Sequence, residues 1–438
     1  MKFPLVLFFL SLAPTVAFAQ TKPQSSSPSI TYLRCGTLYD GKSDTARKNV
    51  TLRIAGEKID QLGDNALKPE SGAQVIDLTR EVCLPGLIDT HTHVLLQGDI
   101  TAEDYDVQLL KYSTPYRTIL GTVAAQRALE YGFTTIRDVE TEGAGYADVD
   151  IKRAIEAGVI PGPRMQVAGR AMDVTGSYPL LGYSWELKMP KGVQEVDGAE
   201  GGRKAVREQL ANGVDWIKVY SDRSYRVRPD GVLDDIPTFT LDELRAIVDE
   251  AHREHHRVAS HASALNGVHN SVEAGVDSIE HGFYIADADL KTMAAKGTFY
   301  VPTLFVGEYV AEGRAATGAH VWVDMINIHA ATFRRALNAG VKIAFGTDAG
   351  GFAWTIDPAK EFALMVKYGM TPAQALRSAN MSAAELLDMQ DRIGSLEPGK
   401  FADIVAVPAD PMADITQLER VNFVMKGGEV FKGITSSQ

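Results

Sequence analysis

The sequence predicts an α/β fold, a (β/α)₈ TIM-like barrel, flanked by a β domain built from both chain ends. Three observations carry this. Between residues 86 and 346, eight short apolar runs alternate with longer amphipathic stretches. Residues 30–84 and 393–438 instead show short strand signals punctuated by turns. Five of the eight apolar runs carry, or lead directly into, a His, Lys or Asp able to bind a metal, at the end where a barrel carries its reactive groups. A doubly wound open sheet has the same local alternation. No glycine-rich phosphate loop follows the first run, which weakens a dinucleotide-binding version of that sheet.

From the N-terminus, Lys2 precedes an apolar run that closes in Ala17-Phe18-Ala19. A charged start, an apolar middle and an A-x-A site describe a secretory signal (1–19) cleaved after Ala19, with a periplasmic or secreted product. The alternative, a retained anchor, fits less well because the run is short and contains Pro4 and Pro14. Residues 20–29 are Ser/Pro-rich and read as a flexible leader. The β domain then starts (30–84), with strands at 30–35, 50–54 and 73–78 and turns at Asp40-Gly41 and Gly63-Asp64. The barrel occupies 85–392. Its strands are expected at 86–89, 134–138, 165–168, 216–220, 258–261, 278–281, 299–302 and 342–346. Helices are expected at 121–131, 202–212, 241–255, 264–274, 287–295 and 330–339, several followed by a terminating glycine such as Gly132, Gly213 or Gly340. From 393 to 438 β character returns, at 401–407 and 421–425, and completes the β domain.

Composition bounds the function. The 438 residues are 45% hydrophobic and 23% charged, which excludes a disordered or collagen-like chain. The net charge of −12 argues against nucleic acid as a partner. Beyond the signal no stretch reaches the ~20 apolar residues of a membrane span. Cys35 and Cys83 are the only cysteines, so no thiolate metal cage exists. Export permits a disulfide between them; two buried free thiols are the alternative.

The chemistry-bearing residues sit at strand ends. His91 and His93 are two apart on an extended segment, so both side chains point the same way and can reach one metal ion. Trp216, Lys218 and Tyr220 share one face of the fourth strand. A lysine in a buried strand is pushed towards its neutral form. A neutral amine can take up CO2 as a carbamate, an anionic ligand able to bridge two metals. His261, His281 and Asp348 end the fifth, sixth and eighth strands. Four imidazoles, one carbamate and one carboxylate suit two zinc-like divalent ions with an open position for water. Asp348 can then move a proton. Glu280, beside His281, is either a support for these groups or a structural acid. His252, His255 and His256 belong to a charged helix and read as solvated.

These residues lie in Pro85-Gly86-Leu87-Ile88-Asp89-Thr90-His91-Thr92-His93, Trp216-Ile217-Lys218-Val219, Ser260-His261-Ala262, Ile279-Glu280-His281-Gly282 and Gly346-Thr347-Asp348-Ala349-Gly350. With the tail from Gly394 to Ile404, the set resembles the metal-dependent amidohydrolase superfamily over nearly the whole mature chain. The resemblance implies a (β/α)₈ barrel with a β-sandwich and a binuclear site, usually zinc. By the match, His91, His93 and Asp348 hold the first metal, His261 and His281 the second, and carbamylated Lys218 bridges. Within the superfamily the chain resembles the imidazolonepropionase-like, Xaa-Pro dipeptidase-like branch. The lysine favours amide or peptide hydrolysis over the one-metal reactions of true imidazolonepropionases.

The resemblance further implies a small-molecule substrate, a dipeptide or N-acyl amino acid with a free carboxylate, with ochratoxin A as one amide of this kind. A metal-bridged hydroxide would attack, with Asp348 as proton shuttle. This branch often carries Thr-Gly-Gly-His after the third strand. Here the stretch reads Val174-Thr175-Gly176-Ser177-Tyr178, and Tyr178 is expected to donate to the carbonyl oxygen instead. Arg223, Arg226 and Arg228 are expected to offer a carboxylate-binding fork, with Tyr220 beside them. Alternatives on the same site are lactone, cyclic imide or phosphotriester hydrolysis; a non-catalytic periplasmic binding protein is a third. A homo-oligomer is plausible from the relatives.

Overall fold

The computed structural model describes residues 29–64, 67–178, 180 and 183–433. The expected signal and nearly all of the leader lie outside the described residues. The eight expected barrel strands are Leu87–Thr92, Phe133–Asp138, Arg164–Val167, Trp216–Tyr220, Arg257–Ala262, Ser278–His281, Phe299–Val301 and Lys342–Ile343. Adjacent ones pair in parallel, except between the third and fourth, where Asp215 N–H donates to Val167 O at 2.7 Å. The third strand breaks after Val167 and resumes at Met172–Asp173, which pairs with the fourth through Val219. The ring closes where Thr90 N–H donates to Phe345 O (2.9 Å) and Asp348 N–H to His91 O (2.8 Å). Closure separates this fold from the doubly wound alternative.

Helices cover the barrel because its strands need an apolar coat on the outside. Several start earlier than their periodicity suggests. Thr114–Glu130 begins behind Ser113, whose side chain accepts from Tyr116 N–H, with Pro115 in its first turn. Val321–Ala339 likewise extends one turn pattern well upstream of residue 330. The helices Ala102–Lys111, Ala147–Glu156 and Leu304–Ala316 were not expected. Neither was the hairpin Asp222–Val227 with Leu233–Pro237, although Pro229-Asp230-Gly231 marks its turn.

Both chain ends meet in one seven-stranded sheet. Its order is Glu429–Lys432, Phe423–Lys426, Ile404–Val407, Gln74–Pro85, Ile30–Leu38, Arg47–Ala55 and Lys58–Gly63. The strand Ile404–Val407 shows why it is wholly buried: Val405 and Val407 join the barrel core, while Ile404 and Ala406 join the sheet's own core. That second core also contains Cys35 and Cys83, which form a disulfide. The thiol alternative is thereby closed. Among the described residues, no helix is long and apolar enough to cross a membrane.

Candidate active site

The strand ends place the expected ligands around one mouth. His91 is fully buried; its Nδ1 meets Glu280 Oε2 at 2.7 Å, while its Nε2 has no hydrogen-bond partner. His93 Nε2 lies 3.2 Å from Asp348 Oδ1, and His91 Nε2 lies 3.8 Å from the same oxygen. The ligand atoms of His91, His93 and Asp348 all fall within 4.8 Å of one another. His281 follows: its ring centroid is 4.8 Å from that of His91 and 4.5 Å from that of His261. His281 and Asp348 have positive φ, 69° and 61°. Non-glycine residues adopt that left-handed backbone only under constraint, and such strain clusters at functional sites.

Lys218 is fully buried with its Nζ unpartnered. Burial lowers its pKa. Burial also drives the His91 imidazole down to about 4 and holds His261 and His281 well below the usual value, with Lys218 adding to each. Burial opposes ionisation of Asp348, yet the His93 hydrogen bond and the surrounding imidazoles hold its pKa below the ordinary value. The site therefore gathers three imidazoles held towards the neutral form, a fourth, His93, whose pKa Asp348 raises against burial, a carboxylate and an amine without a partner. Two buried nitrogens with no acceptor or donor, His91 Nε2 and Lys218 Nζ, are what metal ligands look like without their ion. The donor set is imidazole and oxygen, which fits zinc-like divalent ions.

A support layer fixes the first histidine. Arg137, fully buried, donates from Nη2 to Glu280 Oε1 at 2.8 Å and from Nη1 to Ser278 Oγ at 3.2 Å. Its guanidinium also lies 4.3 Å from the Trp216 ring. Glu280, held down to about 2 against burial by Arg137 and His91, accepts the His91 Nδ1 proton. That bond selects the tautomer whose Nε2 lone pair faces the mouth. The supporting reading of Glu280 thus prevails.

A cavity of about 310 Å³ opens above these residues, lined by His93, Tyr178, Tyr220, Arg223, Tyr225, His261, His281 and Asp348 among others. Of the three expected arginines only Arg223 lines it. Arg226 is tied to Asp234 at 2.6 Å and Arg228 to Asp230 at 3.0 Å, both on the exposed hairpin. The carboxylate fork is corrected accordingly: an exposed antiparallel strand alternates its side chains, and local acids claim the outward cations. Tyr178 also differs from expectation. Its hydroxyl donates to Glu142 Oε2 at 3.0 Å, so its proton is directed into the wall, not at a substrate carbonyl. Tyr220 lines the cavity and donates to Glu140 Oε2 at 2.5 Å.

Three wall residues escaped the sequence reading. Tyr225 O–H sits 2.9 Å from both His261 Nε2 and Asp222 Oδ1. Glu140 and Glu142 follow the second strand, and their carboxylates and a His93 nitrogen lie within 4.8 Å of one another. Burial and the Glu142 charge push the Glu140 carboxyl well above its normal range. The alternation Asp138-Val139-Glu140-Thr141-Glu142 at a strand end was the available signal. Outside the site, His252 bonds Asp277 at 2.8 Å and buried His329 bonds Tyr300 at 3.0 Å.

A sequence profile of the amidohydrolase family matches residues 82–431. The ochratoxinase of Aspergillus niger is 30% identical, over 92% of this chain and 87% of its own length. A crystal structure of a Xaa-Pro dipeptidase with methionine bound in its active site superposes with a TM-score of 0.83 at 34% identity, covering 92% of this chain and all of the other (100%). A prolidase complexed with N-methylphosphonate-L-proline gives 0.82 at 29% identity, over 92% and 100% of the two chains.

Proposed function

The chain belongs to the amidohydrolase family and is a metal-dependent hydrolase, and from that premise we propose that it is an exported amidase for dipeptides or N-acyl amino acids with a free carboxylate. Its relatives named for prolidase, dipeptidase and ochratoxin-hydrolysing activity support an amide substrate. The observation that carries the reading is that His91 Nε2 and Lys218 Nζ are both buried and unpartnered, the imidazole 3.8 Å from Asp348 and the amine within reach of that carboxylate's charge. The disulfide and the N-terminal signal-like segment support an oxidising compartment outside the cytoplasm, the periplasm or the medium.

His91, His93 and Asp348 would hold one divalent ion and His261 and His281 a second, with carbamylated Lys218 as a further ligand, zinc being the metal this donor set fits best. Bound metal supplies Lewis acidity and makes water a usable nucleophile at neutral pH. The chain's own residues do the rest. Asp348, ionised and facing the mouth, accepts a proton at its carboxylate and returns it to the leaving nitrogen. Arg223, exposed at the rim and among the described residues without an acid within salt-bridge distance, offers its guanidinium to the substrate carboxylate. Tyr220 and Tyr225 shape the wall between them.

The test is hydrolysis of a dipeptide library with ochratoxin A included, run beside metal analysis of the purified protein. We expect about two equivalents of metal and chelator-sensitive release of the C-terminal amino acid. Turnover of lactones or phosphotriesters without any amide cleavage would defeat the reading.

A further inference from the structure

Besides Asp348, four acids line the cavity: Asp99 lies 3.5 Å from Arg314, Asp222 accepts from Tyr225 and two backbone N–H groups, Asp173 accepts from Val174 N–H, and Glu142 is held by phenols. Glu142 is 3% exposed and lines the cavity. Its Oε2 accepts from Tyr105 O–H at 2.8 Å and from Tyr178 O–H at 3.0 Å. These two phenols come from the helix Ala102–Lys111 and from the loop after the third strand, so the carboxylate is fixed from two sides. The Glu140 carboxyl and a His93 nitrogen lie within 4.8 Å of it on the barrel side. Beneath it lies the buried guanidinium of Arg117. Arg117 directs its hydrogens at backbone carbonyls: Nη1 at Glu142 O (2.7 Å), Nη2 at Thr141 O (3.1 Å), and both Nε and Nη2 at Leu95 O. The guanidinium thus lies beside the Glu142 backbone without donating to its carboxylate oxygens. A carboxylate fixed by two phenols in a cavity wall is a site for a cationic donor.

We propose that Glu142 receives an ammonium group of the substrate. This rests on the amidase reading and narrows it. Arg223 follows the fourth barrel strand and Glu142 the second, so the mouth offers a cation and an anion from different sectors. An unblocked dipeptide, with ammonium at one end and carboxylate at the other, matches that pair of charges. An N-acyl amino acid leaves Glu142 without a partner. Two sources of ammonium fit the chemistry: the α-amino group, or a lysine side chain.

The experiment compares alanyl-phenylalanine with its N-acetyl form, and N-acetyl-alanyl-lysine with N-acetyl-alanyl-norleucine, in the metal-loaded wild type and in Glu142→Gln. Kd by calorimetry and kcat/KM are both read. In the wild type the ammonium-bearing member of one pair should be favoured by about tenfold or more, the value of a buried charged hydrogen bond. Glu142→Gln should bring that ratio close to one, chiefly through KM, at unchanged metal content and melting temperature. The pair that shows the effect identifies the source of the ammonium. Equal ratios in both proteins would overturn the proposal. So would loss of a metal equivalent in Glu142→Gln, which would make the carboxylate a metal ligand. Binding preference without any hydrolysis would sink the amidase reading and leave the ammonium contact standing.

Discussion

At the scale of single residues, the site depends on groups that never touch a substrate. Glu280 holds the His91 tautomer, and Arg137 holds Glu280. Replacing Glu280 by Gln should weaken metal binding by roughly 10- to 100-fold while the fold persists, as for other partners of metal-bound histidines. Competition with a chelator measures it. Lys218→Ala should lose bound metal and activity together, and short carboxylic acids added to the buffer should restore part of both. Full activity and two metals without such additives would remove the carbamate from the site. That the candidate ligands would meet at one mouth was legible because most of them end or follow an apolar run, where local spacing and barrel geometry agree. The wall was less so. Tyr178 finds its acceptor 36 residues away in Glu142, and no local pattern encodes a partner chosen by two loops meeting in space.

Among elements, the strands were the readable part and the connections were not. Ala102–Lys111 and the hairpin from Asp222 to Pro237 lie over the barrel mouth, where burial is partial and the apolar period weak. The turn that returns the chain to its sheet gives an acid-stability prediction. Glu397 accepts from Lys42 Nζ at 2.8 Å and from Ser395 Oγ at 2.6 Å, with Lys400 Nζ at 3.3 Å. The Lys42 contact above all brings its carboxyl down to about 2 from the ordinary 4.5. A depressed carboxyl stabilises the fold fully above its unfolded value. That contribution shrinks as pH falls from about 4.5 towards 2. Glu397→Gln should therefore lower the melting temperature at pH 7, and the gap to wild type should narrow at pH 3. A gap independent of pH would refute it.

At the scale of the molecule, the sheet joins what the chain order separates. The strand Gln74–Pro85 lies between Ile30–Leu38 on one side and Ile404–Val407 on the other. Removing the Cys35–Cys83 bridge by serine substitution should cost about 2–4 kcal/mol, read as a fall in melting temperature that reductant reproduces in the wild type. The merging of the two β ends was foreseeable from their shared character, but their single continuous sheet was not. Register between segments so far apart is settled by packing, as the split of Val405 and Ile404 between two cores shows.

That sheet also sets an order of events during synthesis. Leu84 pairs with Val405, so one edge of the strand Gln74–Pro85 stays open until the entire barrel has been made. Both cysteines emerge early, 48 residues apart. In an oxidising compartment they can clasp Ile30–Leu38 to Gln74–Pro85 while the last strands are still to come, and the half-built edge waits in the alignment its late partner requires.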